Sequence, residues 1–261
     1  MWEVAAGGAA AMGLAGVSVR YTWWRRPRRG VPILMYHHVT DRLEGSGQTK
    51  LRVSPRRFAQ QLDWLLDQGY QAVTLSRALG PRPPDKPVVL TFDDGYANFY
   101  RRAWPLLKSR RMSATVFLVT GALGGVNHWD REKKEPTEPL LDRAQILELA
   151  AAGVEFGGHT HSHAELAGLE PRRLMLEVTG CQKVLTDLLG GPARTFSYPY
   201  GKHDQRALEA VLRAGFTMAC TTAPGKARPA SDRLSLPRII VKRSDDMLDF
   251  RLKLSRGRSR L

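Results

Sequence analysis

Cysteine is scarce in this chain of 261 residues: there are two, Cys181 and Cys220, and neither belongs to a Cys-x-x-Cys pair. That excludes a zinc–thiolate site and argues against a disulfide framework, leaving two buried thiols as the expected state. Acidic residues are outnumbered 25 to 40, so the formal charge is +15. Such an excess attracts anionic partners, which include nucleic acid, anionic lipid and acidic cell-wall polymers. No helix-turn-helix, zinc-finger or RNA-recognition signature is present. Much of the charge lies in short runs (Arg25-Arg26, Arg28-Arg29 and residues 251–260), so no nucleic-acid partner is expected. Internal repeats are absent. A basic leader before the first apolar stretch is also missing, which makes a standard cleavable signal a poor match.

What is present is a globular composition, 43% hydrophobic and 25% charged, at a length that suits one sizeable core. Residues 4–19 are uncharged and rich in Ala and Gly, and Trp23-Trp24 and four arginines follow. Residues 4–24 therefore read as a short membrane anchor with an aromatic belt, or else as a soluble Ala/Gly helix. The positive-inside rule would place the arginines, and the domain after them, in the cytoplasm.

From residue 31 onward, short apolar runs alternate with helical patterns. Strands are expected at 32–36, 72–75, 88–92, 114–119, 154–156, 195–198, 216–221 and 239–241. Ser54-Pro55 reads as a helix N-cap and first-turn proline, Phe58, Leu62, Leu65 and Leu66 as its apolar stripe, and Gly69 as its stop. Further helices are expected at 141–152, 171–189 and 205–214, each closed by a glycine. This alternation predicts an α/β fold with a parallel sheet and helices outside, either a barrel or an open doubly wound sheet. Loops are expected at 41–50, 121–139 and 222–235. Three regions result: a hydrophobic segment and basic linker at 1–29, one folded domain at 30–250, and a fraying basic tail at 251–261.

Four polar clusters, at residues 37–38, 93–94, 159–163 and 198–201, each follow the C-terminal end of an apolar run. In parallel α/β architectures that rim is where ligands and catalytic groups gather. Asp93 and Asp94 are adjacent carboxylates, which repel and cost desolvation energy, so a metal or a proton-transfer task is expected there. His159, His161 and His163 occupy alternate positions and read as metal ligands in need of a carboxylate. One carboxylate and two imidazoles leave coordination positions open. A divalent metal in such a site brings the pKa of a bound water to roughly 7 and polarises a carbonyl, and the spare aspartate can take the proton. The expected reaction is metal-assisted hydrolysis of an amide or ester, with a histidine to protonate the leaving nitrogen.

Thr91-Phe92-Asp93-Asp94-Gly95 and His159-Thr160-x-x-His163 resemble the first two motifs of the polysaccharide deacetylases (NodB-homology, carbohydrate esterase family 4), and Ser197-Tyr198-Pro199-Tyr200-Gly201 is similar to the third. The resemblance spans roughly residues 31–241. It implies an irregular (β/α)7 barrel and metal-dependent removal of acetyl groups from N-acetylated sugars. By position it makes Asp93 the general base, and Asp94, His159 and His163 the ligands of one divalent metal, Zn first, with Co, Ni or Fe also suited. His161 falls between ligand positions and is expected at the rim. The backbone N–H of Tyr200 would help hold the oxyanion.

Two departures from the family pattern matter. Where many members have an arginine that pairs with the base, this chain has Ser197, and Arg238 is expected to supply the cation from another strand, with Arg194 as the second choice. The C-terminal Leu-x-His motif is missing, because no histidine follows His203. Met35-Tyr36-His37-His38-Val39 instead resembles the relocated histidine of the permuted branch, which acts on poly-N-acetylglucosamine exopolysaccharides. On that resemblance His37 is the general acid, and strand alternation would turn His38 to the opposite face. Trp129 is expected either to stack on a sugar ring or to cap the core, and Asp204 to cap a helix.

The expected partner is an N-acetylated polysaccharide of the cell surface, poly-N-acetylglucosamine-like or peptidoglycan, and the expected location is the cell membrane or outside the cytoplasm. Two alternatives stand beside this reading. One is a catalytically silent polysaccharide-binding member. The other is a two-histidine, one-carboxylate iron oxygenase, a chemistry usually housed in a β-sandwich barrel.

Overall fold

The computed structural model describes residues 26–131 and 135–258. The anticipated anchor over residues 4–24 lies outside the described residues. Among the described residues no helix is long and apolar enough to cross a membrane.

The strands and helices, in chain order, are β1 (Ile33–Tyr36), β2 (His38–Val39), β3 (Arg52–Val53), α1 (Pro55–Asp67), β4 (Gln71–Ala72), α2 (Leu75–Ala78), β5 (Pro87–Phe92), α3 (Trp104–Lys108), β6 (Thr115–Leu118), α4 (Arg143–Ala151), β7 (Glu155–Gly158), α5 (Pro171–Leu189), β8 (Thr195–Ser197), α6 (Gln205–Arg213), β9 (Met218–Pro224), β10 (Leu236–Ile240) and α7 (Met247–Arg256). Parallel pairing runs β1-β5-β6-β7-β8-β9-β10, and β1 then pairs with β10 through Leu34 and Ile239. That last pairing closes a seven-stranded parallel barrel with helices around it, the expected irregular (β/α)7 architecture. Short β4 lies beside the start of β5, and β2 and β3 pair separately.

Alternation along the strands sorts the core into two layers. Leu34, Tyr36, Leu90, Phe92, Val116 and Leu118 point outward and pack under the helices, while Ile33, Val89, Phe117, Met218, Cys220 and Leu236 form a separate interior cluster. Each fully buried side chain of this size contributes about 1.5–3 kcal/mol. The interior cluster takes in Leu75 and Ala78 of α2 near the strand starts. Near the strand ends the inward positions become polar: Thr91, Asp93, Ser197 and Arg238 are all buried.

Several boundaries differ from expectation. The strand expected at 72–75 ends at Ala72, because the Thr74 side chain accepts a hydrogen bond from the Arg77 N–H and caps α2 instead. Leu66 is 44% exposed and does not belong to the buried stripe of Phe58, Leu62 and Leu65. The largest correction is at the C-terminus, where Arg251 to Arg256 belong to α7 rather than to a frayed tail. A reciprocal capping box between Asp246 and Asp249 starts that helix, and Phe250 and Leu254 are buried against the barrel's outer layer. Both cysteines are free and buried as expected, and burial pushes their thiols up to about 12.

Candidate active site

The turn after β5 explains how two consecutive carboxylates reach one cavity. In a continuing strand Asp93 and Asp94 would face opposite sides. Asp94 has φ 72° and Gly95 φ 74°, and two left-handed residues in a row end the strand and fold Asp94 back. Thr160, His163 and Tyr200 are also left-handed, at φ 64°, 65° and 60°. Such conformations cost energy in residues with a Cβ and collect where geometry serves function. Of these residues Asp94, His163 and Tyr200 line a cavity of about 350 Å³ at the C-terminal ends of the strands, together with Asp93, His37 and His159 among others.

Asp94 is the meeting point. Its Oδ1 lies 3.3 Å from His159 Nε2 and 3.2 Å from His163 Nε2, and one donor atom from each of the three side chains fits within 4.8 Å. His159 Nδ1 stands 2.7 Å from the Ser197 carbonyl, so that nitrogen carries a proton. In a neutral ring the Nε2 lone pair therefore points at a carboxylate oxygen. A proton or a cation between them is needed to relieve that repulsion. Burial opposes the charge on Asp94, but hydrogen bonds with His159 and His163 outweigh it and hold the carboxyl well below its usual range. Burial also lowers His163, whereas Asp94 and Asp93 overcome burial at His159 and raise it. Two nitrogens and one carboxylate oxygen suit a divalent transition metal with open positions.

Asp93 is held differently. Arg238 Nη1 donates to Asp93 Oδ1 at 2.6 Å and Nη2 to Oδ2 at 2.8 Å, a bidentate pair. The remaining guanidinium hydrogens are also used: Nη1 to Thr91 Oγ1 at 3.1 Å, Nη2 to Ser197 Oγ at 3.0 Å and Nε to the Thr221 carbonyl at 2.9 Å. Arg238 is fully buried and its donors are satisfied. Burial again opposes ionisation of Asp93, and the Arg238 charge and hydrogen bonds bring its carboxyl below the usual range. Ser197 accepts one of these guanidinium hydrogens, so the cation that pairs with Asp93 comes from β10.

The family model described as polysaccharide deacetylase matches residues 80–219, more than half of the chain. YxkH of Bacillus subtilis, whose name assigns it provisionally to the polysaccharide deacetylases, is 32% identical over 216 residues, covering 81% of this chain and 71% of that protein. The chain belongs to the polysaccharide deacetylase family. The poly-beta-1,6-N-acetyl-D-glucosamine N-deacetylase of Escherichia coli K12 is 27% identical over 263 residues, which cover 86% of this chain and 38% of that longer protein. Among solved structures, the Streptococcus pyogenes deacetylase PplD in complex with acetate superposes with a TM-score of 0.74 at 28% identity, covering 88% of this chain and 99% of that one.

Within this family member the anticipated site residues fall as follows. Asp93, Asp94, His159, His163, His37 and Tyr200 line one cavity, and Arg238 reaches it from β10 behind Asp93. Arg194 is exposed at the start of β8 and does not take part. His161 is exposed, with its Nδ1 3.2 Å from Thr120 Oγ1, and stands outside the group formed by Asp94, His159 and His163. Asp204 caps α6, and Trp129 lies 4.7 Å from the His163 ring at an interplanar angle of 20°. The expected outward turn of His38 is corrected: pairing breaks at His37, between β1 and β2, and both rings line the cavity. Val39 N–H donates to Asn98 Oδ1 at 3.0 Å, which leaves Asn98 Nδ2 to donate to His38 Nδ1 at 2.9 Å. The His38 proton therefore sits on Nε2. Burial first, then the charges of Arg52 and His37, hold His38 well below its ordinary pKa.

Glu177 was not anticipated. From α5 its Oε2 accepts from the His161 and Ser162 N–H groups at 3.1 and 2.9 Å, and its Oε1 from Ser162 Oγ at 2.6 Å. It pins the loop that carries both imidazoles. A carboxylate on the same helix face as buried Leu174, Val178 and Cys181 was the available signal.

Proposed function

We propose that this deacetylase removes N-acetyl groups from a poly-β-1,6-N-acetylglucosamine-type polysaccharide in a metal-dependent hydrolysis. The observation that carries the reading is the convergence of Asp94, His159 and His163 beside an Asp93 clamped by Arg238. The substrate class is supported by the name of the Escherichia coli relative, of which this chain spans 38%.

Asp94, His159 and His163 would hold the divalent ion, with Zn the first candidate. When bound, that ion would polarise the acetyl carbonyl and acidify water. Asp93, kept ionised by Arg238, accepts the proton of the attacking water. With both of its oxygens engaged by the guanidinium, Asp93 is fixed in orientation rather than free to rotate. The Tyr200 N–H donates to the oxygen on which negative charge develops. His37 gives a proton to the sugar nitrogen as the C–N bond breaks, releasing acetate and a free amine. Trp129 and Tyr200 offer rings at the cavity wall for a sugar face, and the cavity is large enough for a single residue of the polymer.

The iron-oxygenase alternative loses support in a parallel α/β barrel. The silent-binder alternative loses it because the carboxylates and imidazoles stand in reactive geometry. Acetate release from β-1,6-linked N-acetylglucosamine oligomers, compared with β-1,4-linked ones, tests the reading. Activity should disappear with a chelator, return with Zn, and fall about 10³-fold in Asp93→Asn. No acetate from any oligomer with metal-loaded protein would sink it. Such a polymer lies outside the cytoplasmic membrane, so the barrel is placed there too; complete protection from protease in intact cells would refute that placement.

A further inference from the structure

The end of the barrel opposite the cavity carries the molecule's other concentration of charge. Residues 26–30 enter β1 there, and the loop after β9 crosses beside them: Val31 and Ala227 exchange backbone hydrogen bonds of 2.7 and 2.9 Å. Arg28, Arg29, Lys86, Lys226, Arg228 and Arg233 line one groove of about 610 Å³. Its wall is apolar, with Val31, Pro32, Leu79 and Pro83 among the lining residues. Arg28 and Arg29 continue into a neighbouring cleft, and Arg26 and Arg258 extend the basic surface beyond it. Asp85 is the acid that lines the groove among the described residues, and it is exposed.

These cations are not structural partners of acids. Among the described residues, the side chains of Arg28, Arg29 and Arg228 make no hydrogen bond or ion pair, and all three are exposed. Lys226 donates to the Arg28 carbonyl at 2.8 Å and Arg233 to the Leu79 carbonyl at 2.9 Å, so each braces the rim through a neutral acceptor and not an acid. Burial lowers Lys226 from its usual pKa, as expected for a cation without a counter-ion. Unneutralised cations over an apolar floor match a phospholipid, whose phosphate and acyl chain need both. The chain leads into this same face from residues 4–24, the apolar run with its two tryptophans.

We propose that this basic end is a docking surface for an anionic phospholipid bilayer, and that docking turns the catalytic cavity away from the membrane. Lipid phosphates sit against Arg28, Arg29 and Arg228, and the membrane holds the barrel by a second contact beside the N-terminal segment. Because the strands all run from this end toward the cavity, the two functions cannot compete for one surface. The polymer is then met on the side facing away from the bilayer.

The test uses the full chain with vesicles of phosphatidylcholine alone or mixed with phosphatidylglycerol. Residues 4–24 are the same in the parent and in the variants, so the change in the ratio of the two partition coefficients reports the basic end. A preference for the anionic vesicles that falls as salt rises is expected. The R28Q/R29Q/R228Q variant should lower it by about fivefold per arginine, or about a hundredfold in all. An R101Q/R102Q/R172Q control removes the same charge elsewhere and should keep the preference. An unchanged ratio in the first variant, or an equal fall in the control, overturns the proposal. Hydrogen exchange of the unmodified chain on anionic vesicles supplies a measurement independent of any variant. Slowed exchange is expected at 26–33 and 224–234, and slowed exchange at the cavity rim (126–131 and 198–203) instead overturns it. Salt-sensitive binding to duplex DNA with no preference between the two vesicles would assign the surface to nucleic acid and overturn it as well.

Discussion

The two ends of this barrel handle charge in opposite ways. At the cavity, Asp93, Asp94, His159 and Arg238 are buried and paired, Asp93 with Arg238 and Asp94 with His159, beside residues in left-handed backbone conformations. At the other end, Arg28, Arg29 and Arg228 are exposed and make no side-chain bond to a described residue. Desolvated charges interact strongly and must be paired, so each member of the cavity group fixes the others. Solvated charges interact weakly, are screened by salt, and leave the fold indifferent to their removal. The contrast teaches that a large net charge says little by itself: its chemistry depends on which cations lose water.

That contrast can be broken most forcefully at Arg238. Arg238→Met leaves Asp93 buried without its counter-ion, and urea denaturation should show a loss of about 3–5 kcal/mol. The same substitution removes what keeps Asp93 ionised, so burial raises its pKa and the acid limb of the pH–rate profile moves to higher pH. A variant as stable as the parent, with an unmoved limb, would show that the clamp is incidental.

Glu177→Gln should act next. One N–H group of the ligand loop or the Ser162 hydroxyl loses its acceptor, for a cost of about 1–3 kcal/mol. Zn affinity, measured by competition with a chelator, should weaken about tenfold. Unchanged affinity would mean the imidazoles hold their positions without the loop being pinned.

Acid titration separates the ends without mutation. Asp93 and Asp94 are both depressed below the usual carboxylate value in the folded state. Their contribution to stability is therefore complete above the unfolded pKa of about 4 and is lost as pH falls through the depressed folded values. Urea midpoints should drop with pH in that range, and the drop should shrink in Asp93→Asn.

The smallest effect is expected at Arg29→Gln. An exposed side chain without a partner should change stability by less than about 0.5 kcal/mol and leave acetate release from short oligomers unaltered. A larger loss would mean that the basic end is structural after all.

Local patterns sufficed for much of this protein. The apolar runs ending in Asp93-Asp94 and before His159, the helix from Pro171 closed by Gly190, and the capping role of Asp204 depend on neighbours within a few residues, and period and end signals record those directly. The grouping of Asp94, His159 and His163 was legible as well, because their motifs resemble those of the family, and the structure brings the three side chains together. What the chain alone left open depends on distant partners. Arg238 was preferred to Arg194 as the cation without a contact to decide it, until β10 closed the barrel against β1 and brought Arg238 to Asp93 across 145 positions of sequence. His38 reads as outward-facing under strand alternation, yet the break at His37 turns it in, and α7 reads as a charged tail until Phe250 and Leu254 find the barrel wall. Residue type and local period set which side chains are able to do chemistry. Closure of the barrel selects among them, since burial and pairing are properties of the assembled sheet and not of any segment.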